Sequence, residues 1–373
     1  YSIKSSGNLA LCRLLGELGA GMDVVSGGEL HRARLAGVAA SRCVYAGVGK
    51  RDDELRLAID AGIGLLNVES EEEFENISRL AGEMRREVRC ALRINPDVDP
   101  RTHRHTTTGT RETKFGVDLE RARAFFRRYG RDSFARLDAL HLHIGSPVYT
   151  TDPYVQAIDK ALALIDALAE EGFPIRTLDL GGGFGADYES LQSPLAADYA
   201  DAIVPLLRER VGAGLEIILE PGRTIVANAG VLLLRVVYTK RSGERLFAIC
   251  DGGMNVLLRP SHYDAFHFVW PVSPAEGLVP PRREATPALP GLVLTDVVGP
   301  ICETGDFIAL GRALPPVRRG DLLAVFTAGA YGMSMASRYN AVPLPAEVLV
   351  DGDEFRTVRR RETVEDLVAH EIG

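Results

Sequence analysis

Residues 138–183 read "DALHLHIGSPVYTTDPYVQAIDKALALIDALAEEGFPIRTLDLGGG". Two short apolar runs, DALHLHIGS (138–146) and TLDLGGG (177–183), flank YVQAIDKALALIDALAEEG, an amphipathic stretch with helical periodicity. Strand, helix and strand in this order form a βαβ unit and imply a parallel pair. The unit repeats on both sides. Further short apolar runs are YSIK (1–4), DVVS (23–26), CVYAG (43–47), LLNVE (65–69), ALRIN (91–95) and IILEPGR (217–223). Helical patterns such as NLALCRLLGELG separate them. Eight such runs are the number that closes a (β/α)8 barrel of the TIM type.

Several runs change from apolar to polar or glycine at their C-terminal ends, at Lys4, Ser26, Asn95, His143, Gly181 and Glu220. In a barrel those ends share one face, the face that carries active sites. After about residue 230 the texture changes. GVLLLRVVYTK, RLFAICDGG, GLVLTDVVGPI and DLLAVFTAGAYG are β-branched runs broken by Gly, Pro and charged turns, with no long helix between them. They predict an antiparallel β-domain over 231–373, after an α/β barrel over 1–230. Residues 273–290, rich in Pro, Glu and Arg, read as an exposed loop.

Composition narrows the function. The chain has 373 residues, 46% hydrophobic and 25% charged, as in ordinary globular proteins. A formal net charge of -8 gives no electrostatic support for nucleic-acid binding. No apolar run is long enough to span a bilayer, and no signal-peptide pattern is present. Cys12, Cys43, Cys90, Cys250 and Cys302 are widely spaced and contain no CxxC pair. This points to a reducing cytoplasm and away from a disulfide frame or zinc site.

The strand ends suggest chemistry in combination. Gly181, Gly182 and Gly183 let backbone N–H groups approach a phosphate, although a tight turn is the plain alternative. The spacing is not GxGxxG, and no Walker lysine follows. His141 and His143 alternate on one run. They suit a metal, or an imidazole packed on a planar ring, and without a carboxylate motif beside them no metal is expected. Glu220 and Arg223 of EPGR supply a carboxylate and a cation around a Pro-Gly turn. Lys4 is a strand-end amine able to form an imine with an aldehyde. A phosphate cradle, a stacking surface, a carboxylate and an amine together match pyridoxal 5'-phosphate, whose own chemistry stabilises carbanions.

On YSIKS, MDVVSGGEL, RINPDVDPRTHRHTTTGTRETKFG, HLHIGS, LDLGGGFG, EPGR, LRPSHYDAFH, GPICETGD and GAYGMSMASRYN, the chain resembles the group IV, fold-type III pyridoxal-phosphate decarboxylases over essentially its whole length. Within them it is most similar to the branch acting on meso-2,6-diaminopimelate. The resemblance implies that Lys4 is the imine-forming lysine and that His143 stacks on the pyridine ring. It implies that Ser146, the glycines 181–183 and the backbone from Glu220 through Gly222 to Arg223 hold the phosphate. Glu220 would pair with the ring nitrogen. Tyr331 would add a hydrogen bond to phosphate or substrate. Cys302 would be the proton donor, on a loop reaching the partner subunit's site in a homodimer, with the C-terminal β-domain contributing to both. Arg259 and Tyr263, alongside Arg223, would bind a distal carboxylate, and Glu303 the distal ammonium. The implied reaction forms L-lysine, the last step of its biosynthesis. Relatives also carry a few dozen residues before this lysine.

Thr304 stands where Ser is usual, and His262 departs from a small apolar pair. Other decarboxylase substrates therefore stay open: carboxynorspermidine, ornithine, arginine or a carrier-bound amino acid. A catalytically inactive relative predicts loss of Lys4 or Cys302, and both are present. An aldolase-type barrel leaves the triple glycine and EPGR without a joint purpose.

Overall fold

In the computed structural model, which describes residues 1–99 and 114–371, the short apolar runs of the first half form parallel strands. With β5 (Val117–Asp118), which matches none of those runs, the strands are β1 (Met22–Val24), β2 (Cys43–Tyr45), β3 (Leu65–Val68), β4 (Val88–Asn95), β6 (Ala135–His141), β7 (Thr177–Asp179) and β8 (Glu216–Ile218). Hydrogen bonding runs β1-β2-β3-β4-β6-β7-β8, and the short β5 pairs with β4 off this path. Residues of β1, β2 and β3 are buried throughout, as expected for strands covered on both faces. The covering helices are α1 (Leu9–Glu17), α2 (Gly27–Leu35), α3 (Asp52–Asp60), α4 (Glu71–Met84), α5 (Leu119–Tyr129), α6 (Asp152–Glu170) and α7 (Ala196–Gly212).

The expected first strand, YSIK, is corrected. Ser2 makes a single parallel bridge to Asp23 of β1. The Asp23 amide donates to Tyr1 O at 2.8 Å, and the Ser2 amide donates to Pro221 O at 3.1 Å. Residues 1–2 therefore fill the eighth place in the ring, between β1 and the chain leaving β8. Ile3–Ser5 then turns into a 3-10 helix. The Ser5 hydroxyl donates to Ser2 O at 2.8 Å, and this local bond competes with continuing the ladder. Lys4 thus sits on a tight turn above the ring.

Two further sequence readings change. β6 ends at His141, so His143 lies just beyond the strand. Ser26, read as a polar strand end, caps α2: its side chain accepts from the Glu29 amide. Ser70 and Asp118 cap α4 and α5 in the same way. Residues 100–113 of the RINPDVDPRTHRHTTTGTRETKFG stretch lie outside the described residues.

The chain divides into two units, Tyr1–Gly185 with Ser193–Gly222, and Ala186–Gln192 with Arg223–Gly373. The second unit holds β9 (Leu232–Ser242), β10 (Arg245–Cys250), β11 (Val269–Pro271), β12 (Val293–Val298), β13 (Phe307–Leu314) and β14 (Leu322–Val325). Their order is β11-β14-β9-β10-β12-β13. All neighbours are antiparallel except β10 and β12, which are parallel. The all-antiparallel expectation is corrected at that pair. The segment 251–292 is long enough for a crossover. It contains a short helix, Arg259–Tyr263, the strand β11, and the loop 273–290, which has no regular ladder and is mostly exposed. Leu234, Val236, Phe268, Trp270, Leu323 and Val325 are central to this unit's core. A separate hairpin pairs β15 (Glu347–Asp351) with β16 (Glu354–Arg359). Among the described residues, no helix is long and apolar enough to cross a membrane.

Candidate active site

In the barrel unit, the turn at Ile3–Ser5 presents Lys4 beside β1. Its Nζ lies 3.1 Å from Asp23 Oδ2, which also accepts from the Ser2 hydroxyl. The lysine side chain keeps about a third of its surface exposed (34%), while Asp23 is buried. A carboxylate therefore holds the amine in place without covering it.

Glu220 follows β8, and its amide donates to Gly181 O at 2.8 Å. Its buried carboxylate lies 3.5 Å from His141 Nε2, and Asn67 Nδ2 donates to the same oxygen at 3.5 Å. Asp179, the last residue of β7, completes the cluster. The potential ligand atoms of His141, Asp179 and Glu220 all fall within 4.8 Å of one another. Burial and the adjacent Glu220 charge push the Asp179 carboxyl well above the ordinary carboxylate range. Burial acts on Glu220 in the same direction, but His141, Lys4 and His143 outweigh it and hold its carboxyl low. The two carboxyls are thus shifted in opposite directions, the division expected when two carboxyls share a dry site. His141 Nδ1 and Asn67 Oδ1 are buried without a hydrogen-bond partner.

His143 is held by the Gly182 amide, which donates to Nδ1 at 3.3 Å. Burial first, then the Arg93 and Lys4 charges, keep its ring well below the ordinary histidine pKa. A neutral ring presents a flat face to an aromatic partner. The glycine loop lies against the loop that bears His143. Gly181 and Gly183 have φ of +67° and +97°, and a Cβ on Gly183 would stand 2.2 Å from Gly145 O. Only glycine allows this backbone-on-backbone approach. The Tyr154 hydroxyl donates to Gly182 O at 2.9 Å and fixes the loop from behind. Ser146 and Gly183 are half-buried at its rim.

In the second unit, two arginines gather on one ring. Arg259 Cζ lies 4.4 Å from the Tyr188 ring centroid, and Arg223 Nη1 donates to the Tyr188 hydroxyl at 2.7 Å. The Arg223 guanidinium also lies 4.7 Å from the Tyr331 ring. Arg259 Nη1 is 2.8 Å from His267 Nε2. Tyr263 is half-buried at the end of the 259–263 helix, with the exposed His262 ring against it. Cys302 and Glu303 are exposed on the loop before β13. The Cys302 amide donates to Asn340 Oδ1 at 2.8 Å, and the buried Asp306 carboxylate accepts from the Ile301 and Met254 amides at 2.6 and 2.7 Å. The other four cysteines are buried free thiols.

Sequence reading missed Asp23, Asn67, Asp179, Tyr188 and His267 as site residues. Asp179 and His267 stand inside quoted motifs, LDLGGGFG and LRPSHYDAFH. Tyr188 carried no signal, because the excursion 186–192 into the second unit is a tertiary event.

A backbone-lined glycine loop, a neutral imidazole, a buried carboxylate with unsatisfied polar neighbours and an accessible lysine fit pyridoxal phosphate and its ring nitrogen. This fold and site define a pyridoxal-phosphate-dependent decarboxylase. The model of the pyridoxal-dependent decarboxylase pyridoxal-binding domain matches residues 1–227. The chain is 44% identical over 369 residues to the diaminopimelate decarboxylase of Aquifex aeolicus, covering 99% of this chain and 84% of that protein. It is 45% identical over 372 residues to that of Pseudomonas aeruginosa, covering 100% and 85%. The Helicobacter pylori diaminopimelate decarboxylase, solved in complex with L-lysine, superposes with a TM-score of 0.91 at 38% identity, covering 100% and 89%. The chain belongs to the diaminopimelate decarboxylase family.

Proposed function

We propose that this protein decarboxylates meso-2,6-diaminopimelate to L-lysine, and that it does so as a cytoplasmic homodimer. The observation that carries the substrate reading is the pair of buried guanidiniums on Tyr188. An amino acid with a second carboxylate needs a desolvated cation for it, and guanidinium offers two parallel hydrogen bonds. Identity of 44% and 45% to two diaminopimelate decarboxylases, over 99% and 100% of this chain, supports the same reading.

When bound, pyridoxal phosphate supplies an aldehyde for amine exchange and a ring that accepts the electron pair left by carbon dioxide. The chain's residues do the rest. Lys4 Nζ is the amine that would hold the cofactor's aldehyde. His143 backs the ring. Glu220, whose carboxyl is held low, would accept from a protonated ring nitrogen and keep that proton in place. Ser146, Gly181, Gly182, Gly183, Gly222, Arg223 and Tyr331 serve the phosphate. Arg259, Tyr263 and Arg223 serve the distal carboxylate, with Glu303 for the distal ammonium. Cys302 Sγ hands a proton to the substrate's α-carbon. Its exposed loop suits a role in the partner's site, which makes the dimer necessary for activity.

The test is carbon dioxide release by the purified, cofactor-loaded protein on meso-diaminopimelate, L-lysine, L-ornithine, L-arginine and carboxynorspermidine. Turnover of meso-diaminopimelate should exceed the others. Rapid turnover of another amino acid with meso-diaminopimelate ignored would overturn the substrate while leaving the decarboxylase.

A further inference from the structure

Two motifs that stand apart in the sequence, GPICETGD and GAYGMSMASRYN, meet in the second unit. Asn340 closes the contact: its Oδ1 accepts from the Cys302 amide at 2.8 Å. The bonds on either side of that amide leave the backbone little freedom. The Ile301 amide donates to Asp306 Oδ2 at 2.6 Å, and the Glu303 amide donates to Ile301 O at 2.8 Å. Three consecutive amides, of residues 301, 302 and 303, are therefore held, while Cys302 and Glu303 themselves are exposed. Asp306 also accepts from the Met254 amide at 2.7 Å. A Cβ on Gly253 or Gly299 would stand 2.0 or 2.6 Å from Asp306 Oδ1, so the two segments close tightly on this carboxylate.

The Asn340 turn is fastened separately. The Ser337 amide donates to Asn255 O at 2.9 Å, and Arg338 makes two bonds to the Glu362 carboxylate, at 3.0 and 2.6 Å. Asn340 itself has φ +54°. Most residues avoid this left-handed conformation, and Asn tolerates it because its short side chain hydrogen-bonds to nearby backbone. Here the side chain instead reaches an amide 38 residues away along the chain. Next to it, a hydrogen bond to the Glu303 carboxylate raises the pKa of the Tyr339 hydroxyl. Two adjacent residues of the turn thus meet two adjacent residues of the loop.

A proton donor must be placed to a fraction of an ångström, which an untethered exposed loop does not achieve. The bond to the Cys302 amide fixes the Cα from which Sγ extends. We propose that Asn340 is a positioning residue, which holds Cys302 by its backbone amide so that the thiol meets the substrate's α-carbon. This rests on the reading of Cys302 as proton donor given above. Asn340 and Cys302 belong to one chain, so the inference holds whichever subunit's site the thiol serves.

The test uses the cofactor-loaded protein and three variants. Asn340→Gly keeps the left-handed backbone and loses the acceptor. Asn340→Asp keeps the acceptor and tolerates the same backbone. Cys302→Ala removes the thiol. Two independent quantities are read: hydrogen exchange of the 301–306 amides by mass spectrometry, and kcat and KM for meso-diaminopimelate. The Gly variant should exchange these amides faster and lose on the order of tenfold in kcat, the effect of one hydrogen bond. Its KM should change by less than about twofold, because a proton donor acts in the transition state. Asp should restore slow exchange and most of kcat. Unchanged exchange in the Gly variant, or faster exchange with wild-type kcat, would overturn the proposal. So would a rise in KM as large as the fall in kcat, or Asp behaving like Gly with both folded. Melting temperature reports folding; should Gly fail to fold, Asn340→Ala replaces it in the same comparison with Asp. Cys302→Ala with wild-type kcat removes the reading of Cys302 and this inference together. An inactive Cys302→Ala beside an unimpaired Asn340→Gly removes only the inference.

Discussion

At the scale of single residues, Arg259 carries the proposed substrate specificity. Arg259→Leu should leave a substrate carboxylate without a partner, at a cost of about 2–5 kcal/mol, or roughly 30-fold or more in kcat/KM. Background turnover of L-lysine should fall much less, so the ratio of the two kcat/KM values is the measurement. Equal losses would mean that Arg259 supports the fold or the cofactor instead. Asp179 offers a test of the buried acid pair. Its folded pKa is raised by burial and by Glu220, so the fold keeps a proton that the unfolded chain loses near pH 3.9. Its favourable contribution is therefore complete below that pH and is lost as pH rises toward the folded value. Asp179→Asn retains an acceptor for the Gly181 amide, now 2.9 Å from Asp179 Oδ1, and has no proton to lose. Its melting temperature should match wild type near pH 4 and exceed it at pH 8. A deficit at pH 8 as large as at pH 4 would count against a neutral Asp179.

At the scale of elements, the loops after β6 and β7 matter as a pair. Gly183 combines φ +97° with a neighbour that leaves no room for a Cβ, whereas Gly19 has φ +96° and open space around it. Gly19→Ala should cost only the backbone conformation, on the order of 1–3 kcal/mol. Gly183→Ala should cost more, because the two loops must part, and it should weaken cofactor binding as well. Thermal melts and cofactor titration of the two variants separate these effects. Equal destabilisation with unchanged cofactor affinity would remove the glycine loop from the phosphate site. Element order was legible here for a physical reason: buried parallel strands are short apolar runs, and their helices carry a 3.6-residue period. The first strand was misread because one bridge and a serine-stabilised turn have the same composition as a short strand. The β10–β12 direction was not legible, since pairing direction depends on where a long connection returns.

At the scale of the whole molecule, the exposed Cys302 loop bears on assembly. Lys4→Ala and Cys302→Ala should each be nearly inactive. A 1:1 mixture after verified subunit exchange should recover activity toward about a quarter of wild type, since half the dimers then hold one intact site. No recovery would assign Cys302 to its own subunit's site. The sequence by itself determined the barrel, the β-rich second unit and the cofactor, and it pointed to Lys4, His143, Glu220 and Arg259 as candidates, because local periodicity and strand-end chemistry are written in consecutive residues. Only the tertiary structure decided that Asp179 and His141 surround Glu220, and that Tyr188 and His267 hold Arg259. Those partners lie 41 and 79 residues from Glu220, and 71 and 8 residues from Arg259, along the chain. Their charge states follow from burial and neighbours, which exist only once distant segments have packed.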